Sequence, residues 1–480
     1  MPYDAIIIGS GLGGLACATL LAKAGQRVLV LERQSQIGGC MQSYKRHGLE
    51  YDTGLHYIGG LDEGQPLHEP FKQLGLLDLN WKRLDPNGFD RIRIGQRNFS
   101  FAQGYEAFVD TLATEFPNER KGLQQYVDTL WGMQPGAHAP LQETGAWDFL
   151  HQIIHDELLI NVLSAASQKM ELRKETLPLF TFAHGNASYI QSAWRLQGSG
   201  STLVKRLSDQ FKACDGEIKC NHEVSKLTEK DGLITAAHCA NGDTFEAKLF
   251  ISDAHPAITC SWMEESKKMR RVYRRRISSL HNTVGMFTVS LRIKNNSLPY
   301  FNYNQYVYRE ANVWDFYRHP STEVAGLLIS CRVPEDGGCY ARQVDLITPM
   351  LWEEVSPWQD THTGQRGDAY LLMKRQRAEA CISLAETAIP HLRECVEGYI
   401  TSTPLTYRDY NLSPQGSAFG IRKDYRQPLL TTLSPQTPIP NLLLTGQNLV
   451  AHGVEGVTIM ATETCKMATK RLSELAFDAP

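Results

Sequence analysis

The sequence predicts an α/β chain of two domains, one built on a parallel sheet covered on both faces and the other of mixed α+β character. Three observations predict it. An apolar run, a glycine-rich turn, a helical stretch and a second apolar run ending on an acid open the chain. The 480 residues exceed what one simple core organises. Further along, strand-like and helix-like runs alternate as they do in layered α/β folds.

The opening unit carries the most information. Ala5-Ile6-Ile7-Ile8 is the short apolar run of a strand buried on both faces. Gly9-Ser10-Gly11-Leu12-Gly13-Gly14 follows, with G-x-G-x-x-G spacing at Gly9, Gly11 and Gly14. Residues 15–23 are small and apolar, as in a packed helix, and Gly25 stops it. A second strand, Val28-Leu29-Val30-Leu31, ends on Glu32. Gly9 permits a tight turn, Gly11 lets backbone approach a diphosphate, and Gly14 lets the helix sit close to the strand. The free N–H groups and dipole of the helix start favour an anion there. Glu32 is placed to accept hydrogen bonds from ribose hydroxyls, and its carboxylate disfavours a 2′-phosphate. A dinucleotide site follows; the unit alone does not separate FAD from NAD.

Two further segments bear on that choice. Ile37-Gly38-Gly39-Cys40 comes just after Glu32. Near the other end, 441–448 reads as an apolar strand and turn, and Gly453-Val454-Glu455-Gly456-Val457 as the entry to a last helix over 456–475. Such a helix start would aim N–H groups at the electron-rich edge of a flavin. With Gly48 to Tyr57, 250–256, 403–406, 416–420 and Leu444-Thr445-Gly446-Gln447-Asn448, the chain resembles the flavoprotein superfamily of amine oxidases, protoporphyrinogen oxidases and phytoene desaturases. Within it the chain is most similar to the branch of phytoene desaturase, carotenoid isomerase and retinol saturase. Many relatives place a basic residue where this chain has Cys40, and small residues or proline where it has His452; Glu455 adds an acid beside the final helix.

The resemblance implies a discontinuous Rossmann-type FAD-binding domain at 1–75, 190–262 and 415–480, with a mixed α+β substrate domain at 76–189 and 263–414. It assigns FAD contacts to Gly9, Gly11, Leu12, Gly13, Gly14, Glu32, Arg33, Gly38, Gly39, Cys40, Val224, Gly446, Gln447, Gly456 and Val457. Inside that frame a helix is expected at 203–213 and a short strand pair at 218–220 and Val224. The first substrate segment reads as mostly helical, at 105–116 and 122–133. The second has β-like runs at 283–293, 305–308 and 325–330, then a long helix over 367–387. Clusters of Pro, Gly and Ser at 134–140, 333–338 and 434–440 read as loops.

Composition excludes several classes. A 42% hydrophobic and 21% charged chain is ordinary for a globular protein, and a net charge of −3 argues against nucleic-acid binding. Eleven cysteines with no C-x-x-C pair read as free thiols, not a zinc site or disulfide framework, and no other metal motif is present. No apolar run is long enough to span a bilayer, and the first residues lack a signal peptide's pattern, so a cytoplasmic location is expected. The basic run 267–276 reads as a solvated helix face, set against Glu264 and Glu265, or as a peripheral contact with a membrane surface. No oligomeric state is read from the sequence.

In a flavoenzyme the ring performs the redox step and the protein contributes position and protons. His56 and Tyr57 are the expected catalytic pair, with His184, Tyr189, His255, Tyr407, Tyr410 and His452 as further candidates. The resemblance implies saturation, desaturation or isomerisation of a hydrophobic polyene or isoprenoid-like substrate, by hydride exchange with flavin N5. An amine or porphyrinogen oxidase on the same scaffold is the alternative, and a flavin-bound protein without turnover the next. With a single complete fingerprint, a second site for NAD(P)H is not supported; another protein, a quinone or a transient nicotinamide is left as electron donor.

Overall fold

A computed structural model describes residues 3–132, 139–318 and 323–477. Its first sheet is centred on strand β1 (Tyr3–Ile8). On one side β1 pairs in parallel with β2 (Val28–Leu31), and β2 with Glu217–Lys219. On the other it pairs in parallel with Thr244–Ser252, which takes Leu442–Leu444 as a further parallel neighbour. Thr244–Ser252 also turns back antiparallel through Leu233–Cys239 to Val224–Lys230.

Side-chain alternation explains why these strands are continuously apolar. Ala5, Ile7, Val28, Val30, Leu249 and Ile251 face helix α1 (Leu12–Lys23), the helix Gly200–Lys212 and the C-terminal helix Gly453–Phe477. Ile6, Ile8, Leu29, Leu31 and Phe250 face the opposite layer, with Val224, Leu227, Ile277 and Leu442. A strand buried on both faces has no polar side to show.

The second seven-stranded sheet runs in the order Val396–Ser402, Gly285–Ile293, Gln343–Met350, Gly326–Cys331, Asn304–Tyr308, Asp90–Ile94, Arg97–Phe101. Tyr306, Tyr308, Leu328, Ile347 and Met286 pack against helices from 105–191. Val307, Leu327, Ile329, Leu346 and Phe287 pack on the other face against the helix Gly367–Ala385. The first sheet draws its strands from 1–75, 190–262 and 415–480, and the second from 76–189 and 263–414.

Several elements depart from the sequence reading. The stretch 76–189 is not helical throughout: Asp90–Ile94 and Arg97–Phe101 form a hairpin, with Ile92, Ile94, Phe99 and Phe101 buried on alternate positions. That hairpin adds in parallel to Asn304–Tyr308, so the two substrate segments share one sheet. Residues 218–220 and Val224 do not pair with each other; Glu217–Lys219 joins β2, and Val224–Lys230 joins Leu233–Cys239. The last helix begins at Gly453, three residues early, because Gly453 takes the positive φ of +77° that the turn into it needs. The basic run is helical only over Arg271–Ser278, and Glu265 pairs with Lys226 at 2.8 Å, not with the run. Positions 134–138 lie outside the described residues. Among the described residues no helix is long and apolar enough to cross a membrane.

Backbone packs closely where β1 turns into α1: a Cβ added at Gly14 would stand 2.1 Å from the Gly9 carbonyl oxygen. The oxygen belongs to backbone at the end of β1 and cannot turn aside. Gly14→Ala is expected to destabilise the protein by about 3 kcal/mol through overpacking, read as a lowered midpoint in thermal unfolding.

Candidate functional site

Three parallel strands end side by side, and each passes into the same loop cluster. β1 runs into Gly9, Thr244–Ser252 into Asp253, and Leu442–Leu444 into Thr445 and Gly446. Gly9 and Gly446 hold φ of +98° and +90°, a region other residues avoid. The Asp253 carboxylate lies among them. A Cβ on Gly11, Gly13 or Gly446 would stand 2.4, 2.6 or 2.4 Å from a carboxylate oxygen. The acid faces the N–H groups of Gly11 and Gly14 at the start of α1. Where the sequence reading put an anion, the N–H groups at the start of α1 face this side chain of the protein itself.

The cleft above this cradle encloses about 380 Å³, a size usual for small-ligand sites. Of the residues assigned to FAD, Gly9, Gly11, Leu12, Gly13, Glu32, Arg33, Gly39, Cys40, Val224, Gly446, Gln447 and Val457 line it. Gly14, Gly38 and Gly456 stand behind the wall as packing positions. Gly38 donates to the Ser10 carbonyl at 3.0 Å, and a Cβ there would meet Val204 at 2.8 Å. A Cβ on Gly456 would meet Ala451 at 2.7 Å. His56, Tyr57, His184, Tyr189, His255, Tyr407, Tyr410 and His452 all border the cleft.

At one end, Glu32 accepts from the Ser10 N–H at 3.0 Å and the Ser10 hydroxyl at 2.5 Å, and its other oxygen from the Gln34 N–H at 2.7 Å. Beside it, His222, Glu223 and Val224 close the wall. Arg33 points away from the cradle and donates to the Asp409 and Tyr410 carbonyls. Cys40 cannot replace a basic residue as an anion partner: burial, with Asp253 nearby, pushes its thiol up to about 11, so it stays neutral.

At the middle, the start of the C-terminal helix comes to the cleft with Gly453, Val454, Glu455 and Val457. Three contacts hold it. His452 Nε2 lies 3.0 Å from the Lys169 carbonyl, Glu455 lies 3.6 Å from His184 Nδ1, and Lys423 donates to the Asn448 and Leu449 carbonyls at 2.9 and 2.6 Å. Burial lowers His56 and His452 to about 4, so both imidazoles are neutral near pH 7.

The far end is walled by the second sheet, with Met286, Tyr306, Leu328 and Ile347, and by Tyr407, Ala418 and Phe419. Tyr57 reaches in from the first half of the chain. Its hydroxyl donates to Asp90 Oδ2 at 2.8 Å and lies 2.8 Å from the Tyr306 hydroxyl. Lys169 Nζ stands 3.4 Å from the same hydroxyl and 3.9 Å from the centre of the Tyr189 ring. Asp90, Lys169 and Tyr306 were not among the residues expected at the site. Lys169 follows the helix Glu157–Ala165 in a turn, and no local pattern marks it. Asp253 has one readable mark, an acid at the end of an apolar parallel strand.

The comparisons agree with this geometry. Residues 7–74 match the model of the NAD(P)-binding Rossmann-like domain. The chain is 26% identical to the all-trans-retinol 13,14-reductase of Macaca fascicularis over 94% of this chain and 83% of that one. It is 24% identical to prolycopene isomerase 2, chloroplastic, of an Oncidium hybrid cultivar, over 60% of this chain and 56% of that one. An oxidoreductase from Methanosarcina mazei superposes with a TM-score of 0.66 at 16% identity, covering 96% of this chain and 99% of that one.

Burial pushes the Asp253 carboxyl up to about 7, with Glu32 adding to the rise and the Gly14 and Gly11 N–H groups opposing it. A carboxyl raised on folding stabilises the fold at low pH, and that contribution is lost as pH rises from the unfolded value toward 7. Without added nucleotide, Asp253→Asn is therefore expected to melt increasingly above the wild type between pH 5 and pH 8, in paired thermal scans. A constant gap would show that Asp253 carries no such charge.

With a glycine cradle at the ends of three parallel strands and a dinucleotide-type turn into α1, the chain is similar over most of its length to the all-trans-retinol 13,14-reductases and over a shorter part to the prolycopene isomerases.

Proposed function

We propose that the protein binds FAD along this cleft and saturates a carbon–carbon double bond of a neutral polyene. The observation that carries the proposal is the continuity of the cleft, from the glycine cradle to an apolar, tyrosine-lined chamber on the second sheet. The printed names of the relatives, a retinol reductase and a prolycopene isomerase, supply the substrate class.

The residues fit the cofactor. Glu32 would hold the ribose hydroxyls, and the Gly11 and Gly13 backbone with the α1 dipole would hold the diphosphate. The start of the C-terminal helix would present its N–H groups to the ring and favour negative charge there. When bound, FAD supplies hydride exchange at N5. Met286, Leu328, Ile347 and Phe419 take the polyene and exclude water. Neutral His56 offers a hydrogen bond without adding charge to an apolar chamber. Asp253 contends with the diphosphate for the same N–H groups, so it takes up a proton or turns aside when the dinucleotide enters.

A polyene substrate resides in lipid, and the basic run gives a means of reaching it. Val272 and Leu429 are 79% and 90% exposed, and the chain beyond the basic helix, at His281, pairs with the segment leading to Leu429. Each basic residue near an anionic surface contributes about 1 kcal/mol. We expect sedimentation with phosphatidylserine vesicles that is lost at high salt and in a variant with Arg271, Arg274, Arg275 and Arg276 changed to Gln. Equal sedimentation of that variant would remove the membrane reading.

The direct test is spectroscopic and chemical. The purified protein should show flavin absorption and release FAD on heating. Glu32→Ala should weaken FAD binding by about tenfold, the value of one hydrogen bond to a charged group. Reduced without oxygen and mixed with all-trans-retinol or a carotenoid, the protein should yield a product heavier by one hydride and one proton. A product of unchanged mass would make it an isomerase. Peroxide release from an amine, with no polyene consumed, would make it an amine oxidase.

A further inference from the structure

Saturating a double bond needs a proton as well as a hydride, and the chamber must hold its source. Asp253 and Glu32 belong to the nucleotide end. His56 and His452 are neutral. Lys169 is different: its ammonium lies against the tyrosine cluster that walls the chamber, and its carbonyl accepts from Nε2 of His452, the residue before the C-terminal helix. Around it stand Tyr57 at 3.4 Å, the Tyr189 ring at 3.9 Å and, behind Tyr57, the fully buried Asp90 and Tyr306. Asn304 donates to the second Asp90 oxygen at 2.9 Å, and Arg195 donates to Asn304 at 2.5 Å. Glu455 and, 3.6 Å from it, His184 complete the titratable groups beyond Tyr189.

We propose that Lys169 is the proton donor to the substrate carbon, with Tyr57 as its hydroxyl partner and Asp90 as a positioning residue. The proposal rests on the polyene-saturating function above. In the step the ammonium N–H bond breaks and its electron pair stays on Nζ. The proton forms the new C–H bond with the π-electron pair of the substrate, whose other carbon takes a hydride from the bound reduced flavin. The amine regains its proton from solvent. Three features suit Lys169 to this. The Tyr189 face holds the ammonium by cation–π attraction, and the chamber wall keeps it from bulk water. Burial lowers its pKa to about 8, against the opposing pull of Asp90, so it is charged near neutrality yet gives up its proton readily. Asp90 holds the Tyr57 hydroxyl through a buried hydrogen bond, which fixes the side of Lys169 that faces the chamber.

The test uses FAD-loaded, chemically reduced enzyme and all-trans-retinol in single-turnover mixing. The wild-type rate should fall as pH rises through about 8, and product formed in D2O should carry two solvent deuteriums, one from the Lys169 ammonium and one from the exchangeable N5–H. Lys169→Met should lose about 100-fold or more in rate and lose the alkaline limb. Lys169→Arg should fail to restore the rate, because guanidinium keeps the charge without releasing a proton. Asp90→Asn removes the carboxylate that raises the lysine, so its alkaline limb should move to lower pH. Restoration by Lys169→Arg, an unchanged limb in Lys169→Met, or no shift in Asp90→Asn would each overturn the assignment while leaving the polyene function standing. Should Lys169→Met fail to fold or to hold flavin, the wild-type limb and its shift in Asp90→Asn decide. A wild-type enzyme that saturates neither retinol nor a carotenoid would remove the function, and the donor with it.

Discussion

The close approach of three backbone segments around the Asp253 carboxylate is the constraint on which the cleft depends. Gly11 and Gly13 lie together where β1 turns into α1, Gly446 lies far along the chain, and each leaves a methyl-sized space that the carboxylate fills. The approach sets how near the Leu442–Leu444 strand and its turn lie to α1, and so where the C-terminal helix starts. That helix packs along α1 through Cys17, Ala461 and Cys465, small enough side chains for close contact. A larger residue at any of the three glycines would force the C-terminal segment away from the nucleotide turn. The cradle is therefore a packing solution for the fold and an anion site at once, and the N–H groups that hold Asp253 are the ones a diphosphate would use.

The second dependence is between the two sheets. Arg195, 3% exposed, lies on the short strand Ala193–Leu196 that pairs with Ile58–Gly59 and Trp81–Arg83. Through Asn304 and Asp90 it reaches the second sheet and the Tyr57 hydroxyl. Arg332 makes a like connection, to Asp52 at 3.0 Å and Asp345 at 3.5 Å, and Asp52 in turn accepts from the Gly200 N–H at 2.6 Å. Breaking one member of such a buried pair leaves an uncompensated charge, which is costly. These lines fix the orientation of the chamber wall relative to the nucleotide cradle, and His56 stands between them in sequence and in space.

What the sequence made legible follows from range of interaction. The β1–α1–β2 unit is readable because its glycines, apolar runs and Glu32 act within a few turns of chain. The final helix is readable in place but not in its first residue, because Gly453 sets the start through a turn conformation that spacing does not show. The hairpin at 90–101 carries a clear period of two, Ile92, Ile94, Phe99 and Phe101, masked by the arginines between them. The strand at 217–219 is three residues long, and only its partner β2 defines it. At the site, His56 and Tyr57 were visible through the segment they share with relatives. Lys169, Asp90 and Tyr306 were not, since 79 residues separate Asp90 from Lys169, and 137 more separate that from Tyr306. Strand pairing brings Asp90 and Tyr306 together, and the turn after the helix Glu157–Ala165 carries Lys169 to them.

The distribution of charge in the cleft bears on which substrates it admits. Carboxylates gather at the cradle end of the cleft, at Glu32 and Asp253, where a dinucleotide would offer hydroxyls to one and contend with the other. In the chamber the cation is Lys169, and the nearest carboxylate on the helix side, Glu455, is matched with His184 at 3.6 Å. An amine substrate enters such a chamber as an ammonium ion and meets an ammonium ion of the protein in a poorly solvated space. Like charges there repel far more strongly than in water. A neutral polyene meets no such opposition, and its apolar length gains from burial against Met286, Leu328, Ile347 and Phe419. A lysine in the chamber thus opposes an amine substrate and leaves a neutral polyene unopposed, and this sign of charge separates the two substrate classes.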